Sequence, residues 1–330
     1  MTINKRIRVT SYRWLAIGIA AGSLLAANPA LAVDSLKLLA PAAPGGGWDQ
    51  TARSLQAAMQ RDGIVKQVTV ENKTGAGGTV GLAHFVNTSK GDPNALLVGG
   101  MIMVGAIHIN KSPVNLSQVT PLARLTGEYD VVVVTADSKI KSMNDLVAQL
   151  KANPGSVSWG GGSAGGIDHI LAAMIARAVG ADPSKINYIA HSGGGEAQAT
   201  VVGGHVTAGV NGYAEFAGQI KAGKLRALAI SSEKRLPGVD IPTLKEQGID
   251  VAIANWRGIF AAPGITDAQK KALAAVVEKT VKSGTWRETL KQRDWTDLYL
   301  AADDFKKFLD PEQVRIQKII DDLGLVKEKK

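Results

Sequence analysis

Pro41-Ala-Ala-Pro-Gly-Gly-Gly-Trp-Asp-Gln-Thr-Ala-Arg53 sets a glycine run between an apolar stretch, Leu36 to Ala40, and the amphipathic pattern of Thr51 to Met59. A strand feeding a helix through such a loop leaves the first N–H groups of the helix without backbone acceptors, and the helix dipole adds partial positive charge there. Glycine removes the Cβ that would keep a ligand away and tolerates positive φ. A junction of this kind suits an anion. Asp49, in the first turn of that helix, reads as a structural cap, because a carboxylate there would repel a bound anion. Trp48 reads either as a wall of the pocket or as packing beneath it.

The same plan recurs at Thr74–Thr79, Gly160–Gly166 and Ser192–Gly195. Each loop can present two or three N–H donors in a concave nest. Charge-assisted bonds contribute ~1.5–3 kcal/mol each. Four to six of them, less the cost of ordering a ligand, give roughly −8 to −11 kcal/mol, or micromolar to tens of nanomolar affinity. That sum requires no buried arginine.

Around these loops the chain alternates short apolar runs with helical patterns, which indicates an α/β protein. Strands are expected at Leu36–Ala40, Val68–Asn72, Leu96–Val98, Asp130–Thr135, Ser156–Trp159, Ile186–Ala190, Val206–Val210 and Leu225–Ser231. Val251–Ala261 reads as a long extended crossing. Helices are expected after the glycine loops, at Met143–Lys151, Ile167–Val179 and Ala214–Lys221, and through most of the chain beyond Thr266. The order implies two lobes joined by two crossing strands, near Asp130–Thr135 and Asn255–Ala261. Lobe 1 is residues 33–131 with 257–330, and lobe 2 is residues 132–256.

Residues 1–32 read as a signal peptide. Lys5, Arg6, Arg8 and Arg13 precede an apolar run from Trp14 to Leu25, and Ala30-Leu31-Ala32 fits a cleavage site that leaves Val33 first. The exported product is expected in the periplasm, where its anion is a nutrient rather than a nucleotide. The chain has no cysteine, which excludes disulfides and thiolate metal sites. Its net charge is +9, of which the leader contributes four cations and no acids, leaving +5. Scattered Lys and Arg with few aromatics give no nucleic-acid signature, while a mild positive field helps collect anions.

Two formal motifs overlap in the third loop. Gly160–Gly165 satisfies the dinucleotide fingerprint, with Asp182 at about the right distance, but an exported protein rarely meets that ligand. Gly161-Gly-Ser163-Ala-Gly165 satisfies the nucleophile-elbow pattern of serine hydrolases, with Asp182 and His191 or His205 following in order at tight spacing. Ser163 equally serves as a hydroxyl donor to a carboxylate. His84, His108, His169, His191 and His205 show no metal spacing, so neither metal nor cofactor is expected.

The loops then resemble a known family, the extracytoplasmic solute receptors of tripartite tricarboxylate transporters (the Bug or TctC family). The resemblance runs through Pro44–Asp49 with Ala52-Arg53, Val70–Gly78 with Gly81, Trp159–His169, Ser192–Gly195, Ala222–Ala229, Leu236–Thr243 and Trp256–Gly264. It implies a periplasmic-binding-protein type II fold, α/β, closing on a carboxylate between its lobes. It also implies partners in the form of one large and one small membrane subunit, no enzymatic activity and a monomer. The ligand residues it nominates with the loops are Pro44, Gly45, Gly46, Gly47 and Trp48; Thr74, Gly75, Ala76, Gly77 and Gly78; Gly161, Gly162, Ser163 and His169; Ser192, Gly193 and Gly194; and Asn211 and Tyr213. Asn211 stands where many relatives carry aspartate, and with the form of the first loop it leans the expectation towards a citrate-like tricarboxylate. An accessory that presents its solute to a membrane histidine kinase, or an exported hydrolase using Ser163, are the alternatives.

Overall fold

A computed structural model describes residues 1–2, 33–191, 194–322 and 324–326. The expected leader therefore lies outside the described residues except for its first two, as do Ser192 and Gly193. The described residues from Val33 onward form one unit, built on two mixed sheets.

The elements run β1 (Ser35–Ala40), α1 (Gly47–Arg61), β2 (Gln67–Asn72), α2 (Thr79–Thr88), β3 (Ala95–Gly100), α3 (Met101–Ile109), β4 (Thr120–Glu128), β5 (Asp130–Thr135), α4 (Met143–Ala152), β6 (Ser158–Gly161), α5 (Ile167–Ala178), β7 (Asn187–Ala190), α6 (Gly194–Val202), β8 (Ala208–Gly212), α7 (Tyr213–Lys221), β9 (Leu225–Ile230), β10 (Asn255–Ala261), α8 (Asp267–Val281), α9 (Gly284–Gln292), β11 (Thr296–Ala301) and α10 (Ala302–Asp322). The first sheet has the order β11-β4-β10-β3-β1-β2, the second β7-β6-β8-β5-β9. β1 runs parallel to β2 and β3, and β6 parallel to β7 and β8, each connection carrying a helix. β10 and β5 are antiparallel to their neighbours, because each enters its sheet from the other one instead of by a helical crossover.

The chain thus changes sheets twice, at Tyr129 between β4 and β5, and along 251–254 before β10. Asp130 and Val131 already pair in the second sheet, and Asn255 and Trp256 already pair in the first. Val131 to Val134 are fully buried, as their unbroken apolar run requires of a strand covered on both faces.

Three elements carry no expectation from sequence: α3, β4 and β11. The run Met-Ile-Met-Val-Gly-Ala-Ile-His-Ile of α3 is apolar nearly all round and lacks a helical stripe. β4 contains Pro121 and Gly127, both strand breakers, and β11 is an edge strand with a register shift between Asp297 and Leu300. Trp256, fully buried on β10, packs edge-on against Phe305 and Phe308 of α10 at 5.7 and 5.6 Å between ring centroids. Truncating an enclosed aromatic leaves a cavity as well as a transfer cost. Trp256→Ala is expected to destabilise the protein by about 3–5 kcal/mol, read from the urea midpoint; a loss below about 1 kcal/mol would contradict this placement.

Candidate functional site

A cavity of about 680 Å³ opens between the two sheets, at the ends of their parallel strands. That is where open α/β sheets bind ligands, since the helices following the strands all begin there. Four first turns line it: α1 through Gly47 and Trp48, α3 through Ile102, α5 through Ile167 and Asp168, and α7 through Ala214 and Glu215. Each of these helices is led by a glycine that supplies no side-chain cap: Gly46, Gly100, Gly166 and Gly212. α2 also starts from a glycine, Gly78, behind Trp48. By contrast, α4, α8 and α9 are capped by Ser142, Thr266 and Ser283, whose hydroxyls accept first-turn N–H groups. At α7 the first N–H is already taken, Tyr213 N–H donating to Tyr129 O at 2.9 Å, whereas the start of α1 has no side-chain cap.

Within the first loop, Gly45 N–H donates to Asp49 Oδ2 at 2.7 Å. Asp49 is buried and also accepts from Arg53 and, at 2.9 Å, from Asn72. Burial works to raise its pKa, but these hydrogen bonds outweigh it and hold the carboxyl below its usual value. Asp49 is a structural cap, as its position in the sequence implied. Trp48 both lines the cavity and packs beneath it: a Cβ on Gly78 would lie 2.5 Å from its indole.

The third loop repeats the arrangement. Gly162 N–H donates to Asp168 Oδ2 at 2.5 Å. Asp168 lies against Asp130, which is fully enclosed and whose Oδ2 has no hydrogen-bond partner among the described residues. Burial raises both carboxyls and their proximity adds to it, Asp130 the more strongly. His169 faces away from the cavity. It is buried, its Nδ1 accepts Gly165 N–H at 3.1 Å, and its ring stacks on Tyr188 at 4.1 Å. Burial pushes its pKa down to about 4, so it is neutral at neutral pH.

Seven of the residues nominated from the sequence line the cavity: Gly45, Gly46, Gly47, Trp48, Gly162, Ser163 and Asn211. The other nominated residues that the structure describes do not line it. Pro44 is exposed beside it, Gly161 sits in β6, and Gly194 opens α6. Thr74, Gly75, Ala76 and Gly77 are exposed, and Gly78 buttresses Trp48. Tyr213 packs with the apolar cluster around Val131 and Phe216. Ser163 is exposed on the wall, but His169 and His191 are bonded elsewhere, His191 to Gly161 O and Thr200.

The sequence reading missed the charged side chains. Arg257 is buried in the wall, ion-paired with Glu128, and lies over the Trp295 ring at 4.7 Å. Trp295 Nε1 donates to Glu128 at 2.9 Å, and Arg293 covers the same indole at 5.2 Å while bonding Gln50. Glu215 is open to the cavity; loss of bulk water inside the recess, then Asp168 and Glu128, push its pKa up to about 7. Glycines and loop residues thus share the wall with Asp168, Glu215, Glu128, Arg257 and Arg293. These residues come from β4, α5, α7 and β10 and from the segment after α9, so no local motif announces them. Among the described residues no group of three or more metal-ligating side chains occurs.

The sequence pattern described as "Tripartite tricarboxylate transporter family receptor" matches residues 51–325. The chain belongs to this family. It is a family of solute-binding receptors, not of enzymes. The "UPF0065 protein in gbd 5'region" of Cupriavidus necator is 30% identical over 317 residues, covering 94% of each chain. A TctC solute-binding protein from Polaromonas superposes with a TM-score of 0.74 at 26% identity, covering 87% of this chain and 98% of that one. The structure of MatC from Rhodopseudomonas palustris, with bound malate, shares the fold at 22% identity and a TM-score of 0.71, covering 87% of this chain and 98% of its own. The family fold has two lobes with the ligand cleft between them, and the two sheets and the cavity of this chain take those places.

A nuclear magnetic resonance titration of the imidazole carbons checks the buried histidine of the third loop. His169 is expected to titrate near 4. Because its folded pKa lies below the unfolded value near 6.5, this group withdraws stability as pH falls through that window. A midpoint near 6.5 would place His169 in water instead.

Proposed function

We propose that the protein is an exported, monomeric receptor that closes on a small carboxylate between its lobes. It delivers that solute to the large and small membrane subunits of a tripartite transporter. The lobes are residues 33–129 with 255–330, and 130–254, each crossing lying two residues before the place expected from sequence, since Asp130 and Val131 pair in the second sheet and Asn255 and Trp256 in the first. The observation that carries this reading is the convergence of four glycine-led helix starts on one cavity. First-turn N–H groups without acceptors, reinforced by helix dipoles, stabilise a carboxylate wherever its oxygens can reach them. The malate-bound relative supports the class of ligand.

The carboxylate most readily accommodated has few negative charges. Asp168 and Glu215 stand on the second-sheet side of the cavity, where a further carboxyl group of the ligand would meet like charge. The citrate-like ligand suggested by Asn211 is therefore less favoured than a mono- or dicarboxylate. Closure is a shift of population towards a state in which both sheets' helix ends face the ligand.

A thermal-shift screen against small carboxylic acids tests the reading. Ligand bound at a hundred times its Kd adds about 2.7 kcal/mol of stability, an easily seen rise in melting temperature. In Gly46→Val the added side chain stands at the start of α1, where a Cβ meets Ala43 O at 3.1 Å. That variant is expected to fold with a loss of about 1–3 kcal/mol and to lose the ligand shift. Full affinity in Gly46→Val, or no response to any acid, would reject the proposed site.

A further inference from the structure

Ser231 stands directly after β9, at the end of the apolar run Leu225 to Ile230, and is fully enclosed. Four hydrogen bonds run from it to the two segments by which the chain changes sheets. Its N–H donates to Asp130 O at 2.9 Å, and its Oγ accepts Asp130 N–H at 3.0 Å. The same Oγ donates to Ile253 O at 2.8 Å, and the Ser231 carbonyl accepts Ile253 N–H at 3.0 Å. Each crossing is thereby held at one residue, through both its N–H and its carbonyl.

A hydroxyl suits this place because it accepts and donates at a single atom. The neighbouring Ser232, also buried, shows the contrast: its Oγ donates to Lys234 O at 2.6 Å, within its own turn. Beyond the Ser231 bridge little chain is left to bend. Glu128 pairs in the first sheet and Asp130 in the second, so Tyr129 alone separates the pairings on one crossing. On the other, Ile253 is fixed by Ser231 and Asn255 pairs in the first sheet, so Ala254 alone lies between. Glu128 and Asn255 pair with each other, which makes Tyr129 and Ala254 the next positions along the two strands.

We propose that Ser231 is a positioning residue for the motion of the lobes. Its hydroxyl ties both crossings to the second lobe, so that the two sheets turn against each other about Tyr129 and Ala254 together. Without the bridge each crossing bends over more residues and independently of the other, and the lobes sample a wider range of separations. This role is independent of the solute the cleft takes. It is read without any ligand, whereas the receptor reading stands or falls on the binding of an acid.

Double electron–electron resonance between spin labels on the ligand-free protein tests this. The chain has no cysteine of its own, so labels attach only at the introduced thiols of Lys151→Cys on α4 and Lys279→Cys on α8, exposed positions on opposite lobes. Ser231→Ala is expected to widen the distance distribution about twofold, while Ser232→Ala leaves it as in the parent. Amide hydrogen exchange supplies a second readout. In Ser231→Ala the Asp130 N–H loses its acceptor, but the Ile253 N–H keeps the carbonyl of residue 231. Ile253 N–H is nevertheless expected to exchange about tenfold faster, because its crossing is no longer tied to the other. An unchanged distribution, or an Ile253 amide as protected as in the parent, would overturn the role of Ser231. Should Ser231→Ala not fold, exchange in the parent decides. The Asp130 and Ile253 amides are expected to show protection within about tenfold of each other, and a larger difference would show that the crossings open separately and overturn the proposal.

Discussion

The structure depends on helix starts that are left open. A helix in water or in a protein interior needs its first N–H groups satisfied, and side-chain caps contribute about 1 kcal/mol each. This chain uses such caps where nothing has to bind, at Ser142, Thr266 and Ser283. It forgoes them at Gly46, Gly100, Gly166 and Gly212, which lead four helices whose first turns line one cavity. The parallel strand order makes this possible, because every strand that ends at the cleft hands over to a helix that begins there. Function and fold thus share one requirement, a concave set of donors with no Cβ in the way.

Open helix starts would leave the empty site strongly positive. Acids in the first turns moderate that field: Asp49 is drawn back to Gly45 N–H and Asp168 to Gly162 N–H. Each closes its own loop through a backbone hydrogen bond and so fixes the loop's shape before any ligand arrives. Glu128, Arg257, Trp295 and Arg293 form a second device, an ion pair sealed by an indole between two guanidinium groups. A buried ion pair adds little net stability against its desolvation cost. Its effect here is to hold β10, β4 and the segment after α9 in register around the rim of the cleft.

Much of the fold was legible because strands and helices repeat a local pattern. The glycine loops, the buried Val131–Val134 run and the two crossings all follow from residues within a few positions of one another. Six of the cavity residues followed in the same way, since Gly45–Trp48, Gly162 and Ser163 lie in the loops themselves. What escaped was non-local or locally ambiguous. α3 has no polar face to betray its period, and β4 and β11 carry strand-breaking or edge features. The second loop looked like a ligand loop, yet Gly78 is glycine because Trp48 occupies the space a side chain would need. Glu128, Glu215, Arg257 and Trp295 lie far apart in the chain, and their convergence is a property of the sheet order. Periodicity carries no trace of it.

Backbone donors at the start of α1 holding the ligand's carboxylate is the claim on which the functional account stands. Amide chemical shifts of isotopically labelled protein, followed as the strongest acid from the screen is added, test it most directly. The account predicts that the amide protons of Gly47, Trp48 and Asp49 move downfield on saturation, as N–H groups do when they gain an anionic acceptor. Saturation that leaves those three amides unmoved, with shifts confined to side-chain guanidinium signals or to the exposed 74–77 loop, would contradict it.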